Sequence, residues 1–319
     1  MAFSAQRALL AAGKSIVQKG YWGGGWNGFN TKNVIQGIDF LTETTVNPAA
    51  TLSFGRNDLT GSSSSVKGYF AGGFTGIFIS TNRIDGMIFG TDAAFNPAAT
   101  LATARYVSAG VSSYLTGKGY FASGNVNFSN DTNQIDGIQY SNDAAINPAA
   151  AVSIARGWLI GVNSELNGYF AGGKSNIPLN TIDGLKFSNE TAINPSATLS
   201  SPTVATGGCS SPTRGYWAGG ATNIFAVGAV YHNKYDGIIF ATEVATTPGL
   251  VLTRLKNLLT GVSGIRKGYW GGGHNGTNPN YYSDIDSFVY SSELAENISA
   301  SLPDGNTAEM GGIQQWPQQ

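Results

Sequence analysis

Apolar and polar positions alternate along this chain in short runs, and the same runs return six times. Lys67-Gly68-Tyr69-Phe70-Ala71-Gly72-Gly73 has close copies at Gly20, Gly119, Gly168, Gly215 and Gly268, spaced 47 to 53 residues apart. A second run carries apolar residues at its first, fourth and sixth places, as in Ile84-Asp85-Gly86-Met87-Ile88-Phe89. It returns from Ile35, Ile135, Ile182, Tyr235 and Ile285. Alternation broken at the third residue predicts a strand with a bulge at its glycine. With the turn signals between them, each repeat reads as four strands, a to d. In the second repeat these are about Asn57 to Ser64, Gly68 to Gly72, Ile84 to Phe89 and about Pro97 to Leu101.

A unit of about fifty residues that holds four strands is the size of one propeller blade. The reading is an all-β fold, a six-bladed β-propeller of four-stranded antiparallel blades forming one domain over 1–319. The blades span about 5–53, 54–102, 103–153, 154–200, 201–252 and 253–302, and 303–319 is a closing or docking tail. Gln6 to Gly13 aligns with Gly55 to Gly61 as a first strand a, yet Asn306 to Gln314 also stands where a strand a would follow. One terminal segment is therefore left over. The Gly-Gly pair reads as packing grammar, because a phosphate-cradling loop is needed once, before a helix, whereas this motif occurs six times between strands.

An aromatic-rich strand ending in Gly-Gly, a variable loop, a strand ending in an aromatic such as Phe89 or Tyr140, and an arginine opening the next repeat together resemble the kelch repeat. The resemblance covers almost the whole chain. It departs in the fourth strand, where segments like Asn96-Pro97-Ala98-Ala99-Thr100-Leu101 replace a tryptophan segment. Arrays reading Gly-Tyr-Phe-Ala-Gly-Gly are also similar to repeats of bacteriophage virion and tail proteins. The kelch resemblance implies that partners bind the face on which the b-to-c loops open.

Composition narrows the function classes. Charged residues make up 12% of the chain and the net charge is −1, with no Lys/Arg block. The usual footprint of nucleic-acid or anionic-membrane binding is missing, so neither partner is expected. Cys209 is the only cysteine, which rules out an intramolecular disulfide and a Cys-based zinc site. The first seventeen residues lack the apolar run of a signal peptide or a membrane span. The expected location is a virion, with the cytoplasm as the alternative.

Arg7, Arg56, Arg105, Arg156 and Arg254 open strand a in five repeats. They would either ring a channel mouth as an anion site or pair with the repeated Asp85, Asp136, Asp183 and Asp236, and their repetition favours pairing. Lys19, Lys67, Lys118, Arg214 and Lys267 precede strand b and are expected to be solvated. The b-to-c loops differ in length and carry Trp26, Phe29, Phe74, Phe78, Phe128, Phe225, Tyr231, His232, His274, Tyr281 and Tyr282. Aromatics on loops of a rigid scaffold suit a protein or glycan contact, or they fold back over the sheet edges. No catalytic set, metal or cofactor is expected: a kelch-fold copper site would need two histidines, tyrosines and a cysteine together, and the Asp-box of sialidases is absent. The expectation is a non-enzymatic binding or structural propeller. Its most specific form is a phage virion or tail component contacting other virion proteins or a host receptor, alone or as an oligomer, and its alternative is a carbohydrate-binding, lectin-like propeller.

Overall fold

The computed structural model describes residues 18–76, 79–128, 130–222, 228–276, 281–305 and 307–315. Arg7, Phe78, Phe225 and the Gln6 to Gly13 segment lie outside them. The described chain forms six four-stranded antiparallel sheets arranged as the blades of a propeller. Blade two is typical, with strands a to d at Thr60–Ser63, Lys67–Ala71, Ile84–Ile88 and Ala93–Phe95. Blade one takes its innermost strand from the far end of the chain: Gly311–Gln314 pairs with Lys19–Gly23, placing Gly312 opposite Trp22. The terminal segment seen closing the ring is thus the C-terminal one.

Two strand expectations are corrected. Strand c carries no bulge at its glycine: Gly86 sits in regular register between Tyr69 and Phe95. A side chain there would drive a Cβ to 2.3 Å from the Phe95 ring, so the glycine serves the covering aromatic. Strand d comes directly after the c-to-d turn, and the Asn-Pro-Ala-Ala-Thr-Leu segment follows it as a strap. Leu101 N–H donates to Asn82 O at 2.9 Å and Leu52 N–H to Asn33 O at 2.8 Å, which buries both leucines.

The Gly-Gly pair also has a sharper reason than small size. Gly72 and Gly73 take φ of +65° and +108°, and a Cβ on Gly72 would lie 2.5 Å from Arg105 O of the next blade. The freed corner lets the second glycine donate across the seam, Gly73 N–H to Arg105 O at 2.9 Å. All six blades repeat this bond, at 2.9–3.0 Å.

Around the axis the inner strands meet through glycines. A Cβ on Gly110 would stand 2.0 Å from Gly61 O, and Gly61, Gly161, Gly208, Gly261 and Gly312 face the preceding blade in the same way. Two residues further along each strand, Ser63, Ser112, Asn163, Ser210, Ser263 and Gln314 form a closed ring. Each side-chain oxygen accepts the N–H of its counterpart in the preceding blade, at 2.8–3.4 Å.

The outer seams are fastened by tyrosines. Tyr21, Tyr69, Tyr120, Tyr169, Tyr216 and Tyr269 are at most 2% exposed. Each stacks on the aromatic that ends strand c of the next blade, with centroids 5.2–5.8 Å apart and planes within 12°. Each hydroxyl donates to an acid in that blade's c-to-d turn, as Tyr69 does to Asp143 at 2.5 Å and Tyr269 to Glu43 at 3.0 Å. These turn acids all have positive φ, between 51° and 57°.

Replacing Tyr69 by Ala removes a fully buried ring and is expected to cost about 3 kcal/mol or more in chemical unfolding. Tyr69→Phe keeps the stack and loses only the bond to Asp143, so it should cost about 1–2 kcal/mol. Equal losses for the two variants would show that the stack contributes little.

Candidate functional site

The repeated cations are consumed inside the scaffold. Arg56, Arg105 and Arg156 have no exposed surface. Arg56 donates to Asp85 at 2.6 Å and to Phe70 O at 3.1 Å, Arg105 pairs with Asp136, and Arg156 lies 2.6 Å from Asp183. Burial lowers the pKa of Arg56, and Asp85 opposes that shift. Burial also pushes Asp85 up, but Arg56 and the bonds from Ser53 outweigh it and hold its carboxyl below the usual range. These side chains therefore point into their own blades and do not form an anion-binding ring.

Arg254 is displaced from the expected position. In the other blades this cation stands five residues before the axial glycine, and in blade six that residue is Lys256, fully buried, 2.5 Å from Asp286 and 2.9 Å from Asp284. Arg254 lies outside with its side chain 52% exposed and its guanidinium over the Tyr282 ring at 4.7 Å. The same place is held by Thr203 in blade five and Thr307 in blade one. Opposite Thr307 the acid is replaced by Gln36. The cations before strand b are not freely solvated either: Lys19, Lys67, Lys118, Arg214 and Lys267 have side chains 19–35% exposed, each paired with a turn acid of the next blade.

Symmetry breaks at the axial mouth on the loop face. Three residues before each axial glycine stands a non-glycine residue with φ between 51° and 61°: Asp58, Val107, Trp158, Ala205, Leu258 and Glu309. Their backbones close a ring, each N–H donating to the C=O of its counterpart in the preceding blade at 2.8–3.0 Å. The geometry is common to all six, so the side chains are free to differ. Asp58 and Glu309 are neighbours in this ring, and Asn57 Nδ2 donates to both, at 3.0 and 2.5 Å. Neither carboxylate is ion-paired among the described residues. Burial pushes both carboxyls up, Glu309 to about 7, and the charge of Glu309 adds to the rise at Asp58.

Around this mouth the loop residues divide into two groups. The residue after each glycine corner bridges back to the segment ahead of strand a in its own blade: Trp26 to Ala308, Phe74 to Asn57 and His274 to Asn257. That bridge holds Trp26, Phe74 and His274 half-buried, so the first residue of each loop shares a packing duty. Tyr281 meets His274 in a tilted contact with ring centroids 4.6 Å apart. Tyr231 and Tyr281 pack with Trp158 against Val204, Ala205, Ala221, Leu258 and Ala308. His232 bonds Thr222 at 2.8 Å, and burial lowers the pKa of both histidines. Tyr282 is half-buried under Arg254.

The second group is open. Phe29 is 73% exposed at the tip of a turn capped by Asn27, and Phe128 is 68% exposed. Phe128 meets Phe74 edge-on at 5.3 Å, and Phe74 meets Tyr106 at 4.8 Å, giving an aromatic cluster across the seam of blades two and three. Asp58, Glu309, Trp158 and Tyr106 gave no signal in the sequence because the positions they occupy have no residue type common to the blades.

No protein-family model matches the chain, and no curated protein matches it.

The raised carboxyls fix a sign for pH dependence. Between the ordinary glutamate range, roughly 4.3, and about 7 the Glu309 carboxyl is protonated in the folded chain and ionised in the unfolded chain, so its contribution to stability falls as pH rises through that window. Relative to Glu309→Gln, the parent's thermal midpoint should therefore fall between pH 5 and pH 7.5. Asp131, which burial raises, and His232 and His274, which burial lowers and whose contribution rises with pH over the same window, are common to both proteins and cancel in the comparison. A variant with the same slope as the parent would show that the pair does not hold the proton.

Proposed function

We propose that this propeller is a non-enzymatic binding module, kelch-like in its repeat, whose b-to-c loop face docks a protein partner. The observation that carries this reading is the pair of open phenylalanines, Phe29 and Phe128, on a scaffold whose other aromatics are mostly packed. Large apolar groups held on rigid supports lose little entropy on binding and gain buried area. The polar inventory agrees: the repeated acids are bound to blade cations or seam tyrosines, and His232 and His274 are held by hydrogen bonds within the loops. In its most specific form the module is a component of a bacteriophage virion or tail, and the partner is another virion protein or a host-surface receptor.

Joint replacement of Phe29 and Phe128 by Ser is expected to abolish capture of the partner while leaving the thermal midpoint within a few degrees of the parent. Copurification with virus particles in fixed stoichiometry supports the specific form. Saturable binding of the isolated chain to immobilised glycans, retained in the double variant, would favour the lectin reading instead.

A further inference from the structure

The axial mouth has the makings of a ligand site distinct from the exposed phenylalanines. A cavity of about 60 Å³ opens there, lined by Asp58, Glu309, Ser108, Trp158, Val107 and Leu258 among others. Two carboxylates sit side by side, joined by the Asn57 amide and without a cationic partner among the described residues. An independent feature points the same way. Ser108 is only 5% exposed, lines the same cavity, and its Oγ has no hydrogen-bond partner among the described residues. An unmet hydroxyl oxygen and two uncompensated carboxylates, walled by an indole and aliphatic side chains, form a receptor for a positive group with an organic stem.

The alternatives fit less well. Among the described residues no three acids, histidines or cysteines gather to hold a metal ion, and one oxygen of each carboxylate is already engaged by the Asn57 N–H. The cavity has room for an ammonium or guanidinium head. The titratable groups beside the pair are Tyr106 and Tyr281, whose phenols burial pushes up and keeps protonated, so neither supplies a counter-charge.

We propose that the axial mouth receives one basic side chain, lysine or arginine, from a protein seated on the loop face, its cationic head between Asp58 and Glu309 and its stem against Trp158. The proposal rests on the loop-face reading for its partner, but its test needs no partner. N-acetyl-lysine methylamide and N-acetyl-arginine methylamide are titrated into the intact chain at pH 5 and pH 8, with the norleucine analogue as neutral control and the Trp158 indole N–H resonance as the signal. The expected result is a saturable shift with both basic probes, at least tenfold tighter at pH 8 than at pH 5. It should be absent with norleucine and lost in Asp58→Asn/Glu309→Gln. Should that double variant fold poorly, Glu309→Gln alone is expected to weaken binding about tenfold and to remove most of its pH dependence. No saturable shift, equal affinity at the two pH values, or saturation by calcium chloride but not by the basic probes would overturn the proposal. Such a failure would leave the Phe29 and Phe128 contact standing, because that contact is read from partner capture.

Discussion

Everything in this fold depends on the ring closing, and one short strand closes it. Each fastening between blades is a relation between neighbours, so an open arc of blades leaves two faces unmatched. Gly311–Gln314 and the residues just ahead of it supply the last member of several rings at once. Thr307 O accepts from Gly273 N–H, Asp58 and Glu309 join the mouth ring, and Gly312 lets the inner strands approach. Gln314 accepts from Ser263 and donates to Ser63. Ile313 fills the first seam, reaching Gly68 and the Tyr21 cluster. A lost closing strand therefore removes every kind of inter-blade contact near the axis together.

The division of labour follows from symmetry. Six equivalent seams need six equivalent solutions, and the glycine corners, seam tyrosines and turn acids supply them. Buried pairs such as Arg56 with Asp85 add little net stability, because desolvation offsets their attraction, but removing one partner would strand a charge. Recognition makes the opposite demand. It needs positions whose backbone is held by the common geometry while the side chain is not, and the mouth ring and the loop tips meet that condition.

Strands b and c were legible because their residues face the same packing problem in every blade, and Tyr69 and its counterparts are buried in every seam. Strand d was misplaced because Pro97 and Leu101 look like a strand, whereas the alanines and phenylalanine of Ala93–Phe95 do the pairing. Blade six misled for a different reason. Arg254 and Lys256 are two residues apart and would share a face if the segment were a strand, and only the five-residue spacing to Gly261 selects the lysine. The turn acids Glu43, Asp92, Asp143, Glu190, Glu243 and Glu293 recur at one place in the repeat, but their tyrosine partners lie seventy or more residues away in the chain. Asp58 and Glu309 come together from opposite ends of the described chain, and no local pattern announces such a pair.

The most direct measurement is on a chain ended after Gly305, which keeps all six b, c and d strands and removes only the closing strand and its approach. Its unfolding is followed by heat and by amide exchange at Tyr21 and Gly23, whose register with Ile313 and Gly311 turns their N–H groups toward the closing strand. The expected result is loss of the cooperative transition and of protection at those two amides, restored by adding a peptide of residues 306–319. A cooperative transition near the parent midpoint, with both amides still protected, would contradict closure by this strand.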